Sequence, residues 1–113
     1  MTDPAGPEIV SVYATFATAE EAARIARLLV EERLAACANI LGPCESIYRW
    51  QGGIEEAAEV AALFKTAAER AQALLARLEE LHSYDVPAAV VWPIGAAIPA
   101  YAQWVKEEAA PER

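Results

Sequence analysis

Apolar and polar positions alternate along the first regular segment of the chain, between Ile9 and Phe16. This segment is rich in β-branched and aromatic residues, and every second position from Val10 to Phe16 is apolar. An apolar residue at alternate positions is typical of a strand that packs one face on a core. The sequence therefore predicts a first strand over these residues.

Two later segments repeat apolar residues at intervals of three and four, the period of an amphipathic helix. One follows Thr18 with Glu21, and the other follows Thr66 with Glu69. This spacing is typical of a capping box, in which the hydroxyl accepts a bond from a free amide at the helix start. We therefore expect helices to begin at both threonines, and the second to end near His82. Their predicted buried stripes are Ala22, Ile25, Ala26, Leu28 and Leu29, and then Ala71, Leu74, Leu75, Leu78 and Leu81.

The region between the helices has the pattern of three strand segments. Residues 37–41 predict a strand that ends at a Gly42-Pro43 turn. Residues 46–50 and 60–65 predict the two arms of a long hairpin, with turn residues at positions 51–53. We expect this hairpin to project from so small a domain.

Two elements are predicted after the second helix. Residues 88–92 are apolar on both faces, which is typical of a central strand. Pro99 suits the first turn of a short C-terminal helix. The apolar face of that helix is expected to consist of Tyr101, Trp104 and Val105.

The segment order makes two similar halves, because residues 16–21 and 64–69 both run from a strand through a cap into a helix. Strand, helix and strand, repeated once, predict an α+β fold, a ferredoxin-like βαββαβ sandwich. Both helices then cover one sheet face and leave the other bare. Association of subunits is the simplest cover, and we expect Tyr48 and Trp50 on the hairpin to form part of the interface. Stacking on a ligand is their alternative role.

The length of 113 residues corresponds to one domain, since single domains commonly span about 100 to 200 residues. Prolines and a glycine near the start predict a disordered segment over residues 1–8. Residues 9–108 are the predicted domain, and residues 109–113 a flexible tail.

Charge and composition exclude several partners. The net charge of −8 disfavours nucleic acid, because an acidic surface repels phosphate. The weakly polar stretch over residues 86–102 is interrupted by prolines and a glycine and is too short for a membrane helix. Two cysteines without CxxC spacing, and no apolar leader, predict reduced thiols in the cytoplasm.

Several blocks together resemble the CutA divalent-cation-tolerance family in order and spacing. They are Leu34–Ile40, Ser46–Gly52, Lys65–Thr66, His82–Pro87, and Tyr101 with Trp104. The resemblance implies a ferredoxin-like subunit in a homotrimer whose sheets are joined by the long hairpins, similar in build to the nitrogen-regulatory PII proteins. It implies a role in tolerance to divalent metals, notably copper, and no enzymatic reaction.

The resemblance also implies a copper ligand set, which this chain keeps only in part. In the family, copper binding is linked to a cysteine on the first strand and to two adjacent histidines before the Tyr-x-x-Pro block. The matching residues here are Ala14, Leu81 and His82. Ser83 and Ala88 also stand where the family has proline and glutamate. At most a weak site for Cu(II) or another divalent cation is expected.

Two candidate metal ligands remain, and each has a structural alternative. His82 is the only histidine, and imidazole is a common metal ligand, but a histidine at a helix end also bonds free carbonyls. Cys37 offers a thiol, although a strand cysteine among small residues commonly packs as a hydrophobe. Cys44 is expected to be more exposed.

A second hypothesis is a PII-like binding module for a small anion or a partner protein at clefts between subunits. Lys65 precedes a predicted helix start, where amides favour anions, and Thr66 and Arg49 are expected to join it. Tyr84 lies in the loop before Pro87, where function often collects. For Thr66 and Lys65 the alternatives are a helix cap and a solvated strand end.

An enzyme is the least supported class. The sequence contains no Ser-His-Asp order, phosphate loop or dinucleotide fingerprint, and a single histidine removes most general-base schemes. The metal-tolerance trimer and the PII-like module are therefore the two hypotheses that the structure has to separate.

Overall fold

Strands and helices follow one another along the chain in the predicted order. The computed structural model describes residues 8–112, so the predicted disordered segment over residues 1–8 lies outside the described residues except for Glu8. The elements are β1 (Ile9–Phe16), α1 (Ala19–Glu31), β2 (Cys37–Trp50), β3 (Gly53–Ala67), α2 (Ala71–Leu81), β4 (Ala89–Pro93) and α3 (Pro99–Glu108). A 3-10 turn over Ala68–Arg70 precedes α2.

The four strands form one antiparallel sheet in the order β2-β3-β1-β4. This order follows from two β-α-β halves whose first strands lie side by side at the centre. The predicted ferredoxin-like α+β fold is confirmed. β4 lies at an edge, so the prediction of a central strand is wrong: its apolar residues Val90 and Trp92 are each 48% exposed.

Helices α1 and α2 pack on one face of the sheet, as predicted. Thr18 is the N-cap of α1, and its hydroxyl accepts a bond of 3.0 Å from the Glu21 amide. The cap holds the helix so that Ile25 and Leu29 are fully buried against Phe16 and Phe64 of the sheet. Burial of a large apolar side chain stabilises the fold by about 1.5 to 3 kcal/mol, so this layer is the main core.

The opposite face of the sheet is only partly bare. Ile9 points to this face, and α3 covers it there with Ala102, Val105 and Ala109. The predicted apolar face of α3 is therefore correct for Val105. It is wrong for Tyr101 and Trp104, which stack on each other and are partly exposed. The far end of the same face, which includes Tyr13 and Thr15, is not covered by α3.

The long hairpin is confirmed, but its first arm is continuous. The predicted turn at Gly42-Pro43 is wrong, because β2 passes through these residues with a bulge between Ile40 and Gly42. Gly42 has a φ of 109°, which residues with a side chain rarely adopt, so the glycine permits the bulge without breaking the strand. The true turn has positive φ at Gln51 and Gly52, as in a type I′ hairpin.

The second capping box is wrong. Thr66 lies within β3, opposite Val10 of β1, and its hydroxyl donates to the Leu34 carbonyl at 2.8 Å. Pairing with β1 keeps the chain extended up to Ala67, so the 3-10 turn and α2 begin without a side-chain cap. The hydrogen bonds between β3 and β1 stabilise the extended chain more than a helix cap at Thr66 would.

The end of the chain is ordered further than predicted. Ala109 is fully buried, and Arg70 and Arg33 donate to the carbonyls of Ala109 and Ala110 at 2.8 and 2.7 Å. A flexible tail from position 109 is therefore wrong for these two residues. No helix within residues 8–112 is long and apolar enough to cross a membrane.

Candidate functional site

A cleft of about 630 Å³ lies where the hairpin leaves the sheet. We call it the aromatic cleft. It is lined by Tyr13, Thr15, Ser46, Tyr48, Trp50, Glu59, Tyr84, Asp85, Val86 and Ala88. Alternation along β2 places Ser46, Tyr48 and Trp50 on one face of the hairpin, and the loop between α2 and β4 closes the opposite wall. The cleft thus forms on the part of the sheet face that α3 leaves free.

Glu59 is the buried acidic group of this cleft, with 8% of its surface exposed. The Ser46 hydroxyl donates to one carboxylate oxygen, and the Tyr84 hydroxyl donates to the other at 2.8 Å. Burial, then the bond to Glu59, raises the pKa of Tyr84 to about 12. Tyr84 therefore stays a phenol at neutral pH and remains a donor that ties the loop to the hairpin.

His82 is buried behind the cleft, and both of its ring nitrogens are engaged. Nε2 lies 2.8 Å from the Thr15 carbonyl, and Nδ1 lies 3.1 Å from the Tyr84 amide nitrogen. A carbonyl requires a donor and an amide requires an acceptor, so the ring is the neutral tautomer protonated on Nε2. It also stacks on Phe16, with centroids 5.0 Å apart. The imidazole has no free lone pair for a metal, so the structure gives His82 a structural role in place of the predicted ligand role.

Glu21 joins the start of α1 to the end of α2. Its carboxylate accepts bonds from the Ser83 amide at 2.8 Å and the Ser83 hydroxyl at 3.0 Å, and lies 3.8 Å from Nδ1 of His82. Burial raises the pKa of the Glu21 carboxyl, but the hydrogen bonds from Ser83, with a smaller effect of the bond from the Ala17 amide, outweigh it and bring the pKa below its usual value. An ionised carboxylate therefore holds the loop that carries Tyr84.

Cys37 lies at the opposite end of the sheet from His82. Its sulfur is 3.5 Å from the Tyr101 hydroxyl, and burial, together with this contact, raises the pKa of Tyr101 to about 12. Cys37 and Lys65 pair in the row that contains Ser11 of β1. Thr15, the partner of His82, is four residues along β1, or about 13 Å. The two predicted metal ligands are not brought together within one subunit.

The predicted anion residues are also separated. Arg49 pairs with Ile54 near the hairpin tip, whereas Lys65 pairs with Cys37 at the other end of β3, about 35 Å along the strand. Thr66 is fully buried and bonded to Leu34, so it does not line a ligand cleft as predicted. Of the predicted cleft residues, only Tyr84 lies in the aromatic cleft, together with the predicted interface residues Tyr48 and Trp50.

Sequence reasoning missed Glu59 and Ser46. Their separation of 13 residues matches no local motif, and the contact depends on the register of the hairpin. Tyr84 comes from a third segment. The one available signal was a charged residue directly before the apolar run that begins at Val60.

Comparison with known proteins decides the family. The model of the CutA1 divalent ion tolerance protein family matches residues 10–108. The chain belongs to this family. It is 44% identical over 96 residues to the divalent-cation tolerance protein CutA of Thermus thermophilus, covering 85% of this chain and 93% of that protein. The CutA of Pyrococcus horikoshii is 40% identical over 88% of this chain and 97% of its own length.

Solved structures agree with this assignment. CutA from Xylella fastidiosa superposes with a TM-score of 0.88 at 37% identity, over 91% of this chain and 99% of that one. The protein is thus CutA-like in sequence and fold, with a role in divalent-cation tolerance, as the sequence resemblance implied. The CutA relatives are named as tolerance proteins and not as enzymes.

The side chains between positions 8 and 112 do not form a chelating metal centre. Among residues 8–112, no group of three or more His, Cys, Asp and Glu side chains is placed to hold a metal ion. His82 is engaged on both nitrogens, and the Tyr101 hydroxyl lies 3.5 Å from the sulfur of Cys37. A bound cation would need ligands from water or from a second subunit.

Proposed function

We propose that the protein acts in divalent-cation tolerance by binding the cation directly and weakly, as a cytoplasmic homotrimer that catalyses no reaction. The family match over residues 10–108 is the observation that carries the role. The net charge of −8 supports direct binding, because an acidic surface attracts cations. Cu(II) is the proposed cation, since it binds a given set of protein ligands more tightly than other first-row divalent ions.

Cys37 is the proposed protein ligand. Its thiol is half-buried, and with the Tyr101 hydroxyl it offers a sulfur and an oxygen donor 3.5 Å apart. Lys65 lies directly opposite Cys37 in the sheet, and its ammonium group would repel a cation bound at this thiol. Two donors beside a cation support low affinity, with the remaining ligands supplied by water or a neighbouring subunit.

The homotrimer is supported by apolar surface that the single chain leaves uncovered. Ile47 and Ile54 on the hairpin are 70% and 60% exposed, and Trp92 on the edge strand β4 is 48% exposed. Exposed apolar residues along two sheet edges are typical of surfaces covered by another subunit. The resemblance to trimeric family members sets the number of subunits in this proposal.

Calorimetric titration with Cu(II) under anaerobic conditions tests the proposed site. We expect weak, stoichiometric binding per trimer, and about tenfold or greater loss of affinity in Cys37→Ser. Cys44→Ser is the matched control, since it removes the other thiol, and mass spectrometry after the titration checks that both thiols stayed reduced. Equal affinity in wild type and Cys37→Ser, or binding without stoichiometry, would contradict direct binding through Cys37.

The cytoplasmic location is supported by the two free cysteines, Cys37 and Cys44, because oxidising compartments favour disulfides. Fractionation of cells that express the protein with a small C-terminal tag tests this. The tagged protein is expected with a cytoplasmic marker, and recovery with a periplasmic or secreted marker would contradict the location.

A further inference from the structure

The aromatic cleft has a chemical pattern that the proposed metal site does not use. Four aromatic rings and two carboxylates line one volume of about 630 Å³. The rings are those of Tyr13, Tyr48, Trp50 and Tyr84, and the carboxylates are those of Glu59 and Asp85. Cys37 and Lys65 do not line it.

Glu59 brings a buried carboxylate to this cleft without a basic partner. Among the described residues no Lys, Arg or His nitrogen forms a salt bridge with Glu59, whereas Glu32 is paired with Arg77 at 2.9 Å. Its two hydrogen bonds, from Ser46 and Tyr84, use one acceptor position on each oxygen. A carboxylate can accept about four bonds, so acceptor capacity remains. Burying such a group without a counter-charge costs free energy that a bound cation would offset.

The aromatic rings extend this preference for positive charge. Tyr48 and Trp50 lie two residues apart on the same hairpin face and remain 43% and 44% exposed. The bond to Glu59 holds the Tyr84 ring in the opposite wall. The faces of aromatic rings attract cations, and the effect is larger for desolvated organic cations whose alkyl groups also pack on the rings. A hydrated metal ion gains little from such walls, because it keeps its water and prefers several oxygen ligands.

We propose that the aromatic cleft binds a small organic cation, an alkylammonium or alkylguanidinium compound. Its charged group bonds the free acceptor positions of Glu59, and its alkyl part packs between Tyr48, Trp50 and Tyr84. This site is separate from the proposed copper site at Cys37 and does not depend on it. Asp85 at the loop adds a second negative charge that favours diammonium over monoammonium compounds.

Titration of the native oligomer with n-butylammonium chloride, n-butylguanidinium chloride and 1,4-butanediammonium chloride tests the proposal. Butan-1-ol and sodium butyrate serve as neutral and anionic matches of similar size. We expect calorimetry to detect binding of the three cations and no binding of butan-1-ol or butyrate. Chemical-shift changes should be confined to the cleft residues, including the indole N–H of Trp50.

Two variants and two controls locate the site. Glu59→Gln keeps the shape of the side chain and one acceptor oxygen but removes the charge, and its amide group donates to whichever of the Ser46 and Tyr84 hydroxyls faces it. Trp50→Leu removes an exposed ring. Each variant should weaken binding of the cations about tenfold. Glu56→Gln removes a charge on the opposite face of the same strand, and Trp104→Leu removes a ring outside the cleft. Both controls should bind as wild type does. Circular dichroism checks that Glu59→Gln is folded, and Trp50→Leu tests the site independently if it is not.

Three outcomes would overturn the proposal. The first is equal affinity for butylammonium and butan-1-ol, and the second is unchanged affinity in the folded Glu59→Gln and Trp50→Leu variants. The third concerns Arg49, which lies on the opposite face of the hairpin and is exposed. If cations bind only after Arg49→Gln, the cleft is filled by a guanidinium group from a second copy of the chain and is not a ligand site.

Discussion

At position 82, hydrogen bonding decides what the imidazole can do. The ring donates to the Thr15 carbonyl, accepts from the Tyr84 amide and stacks on Phe16. Removing it leaves two buried backbone groups without a partner and a cavity beside the core. The residue therefore positions the loop that carries Tyr84, and its contribution is to stability.

His82→Ala should accordingly lower the free energy of unfolding by about 2 to 4 kcal/mol. His82→Phe keeps the stacked ring but loses both hydrogen bonds, so its loss should be smaller. Urea unfolding followed by circular dichroism measures both. Copper affinity should stay within about twofold of wild type in the folded variants, and a tenfold loss would restore His82 as a ligand.

Glu21 predicts how stability changes with pH. Because its folded pKa lies below the ordinary value of 4.5, the ionised carboxylate stabilises the fold above that pH. The contribution is lost as the pH falls through the folded pKa.

Glu21→Gln should lower the free energy of unfolding by about 1 to 2 kcal/mol at pH 7, and this difference from wild type should narrow below pH 4.5. Urea unfolding at a series of pH values measures the gap. Glu20→Gln, at the exposed neighbouring position, is the control, and a gap that is constant with pH would show that the charge is not responsible.

At the scale of elements, two arginines hold the end of α3 to the rest of the fold. Arg70 bridges the carbonyls of Ala109 and Arg33, and Arg33 in turn donates to the carbonyls of Glu107 and Ala110. These bonds satisfy carbonyls that a helix end leaves free. They explain why α3 stays on the sheet although its buried face contains only small or medium side chains.

Arg70→Ala should lower the free energy of unfolding by about 1 to 3 kcal/mol and speed hydrogen exchange of the α3 amides. Exchange in α1 and α2 should change less, because their packing does not involve α3. Arg24→Ala, on the exposed side of α1, is the matched control. Equal exchange of α3 in both variants would show that the arginine contacts do not hold the helix.

At the scale of the whole molecule, the exposed hairpin and the edge strand β4 determine the expected assembly. Light scattering should give a particle of about three times the chain mass of 12.2 kDa. Ile54→Lys places a charge on the exposed apolar side of the hairpin and should shift the particle toward monomer, because burying that charge in an interface is unfavourable. Arg24→Glu is the control on the helical surface. A stable folded monomer of the wild type in dilute solution would contradict the homotrimer.

Local patterns in the sequence determined the strands, the helices and their order. The Thr18 cap with Glu21, the helical stripe that includes Leu29 and the alternation in β1 all appear in the structure as expected. Each depends on residues within a few positions of one another, so local propensity and period are enough. The family resemblance then identified the role, because its blocks extend over nearly the whole chain.

Only the tertiary structure decided which side chains meet. Thr66 was extended instead of capping a helix because pairing with β1 satisfies more backbone groups than a local cap does. The cluster of Ser46, Glu59 and Tyr84 joins three segments through hairpin register and loop packing, and no spacing along the chain encodes that contact. The chemistry of His82 likewise depends on distant partners, since a side chain's free lone pairs are known only when its neighbours in space are known.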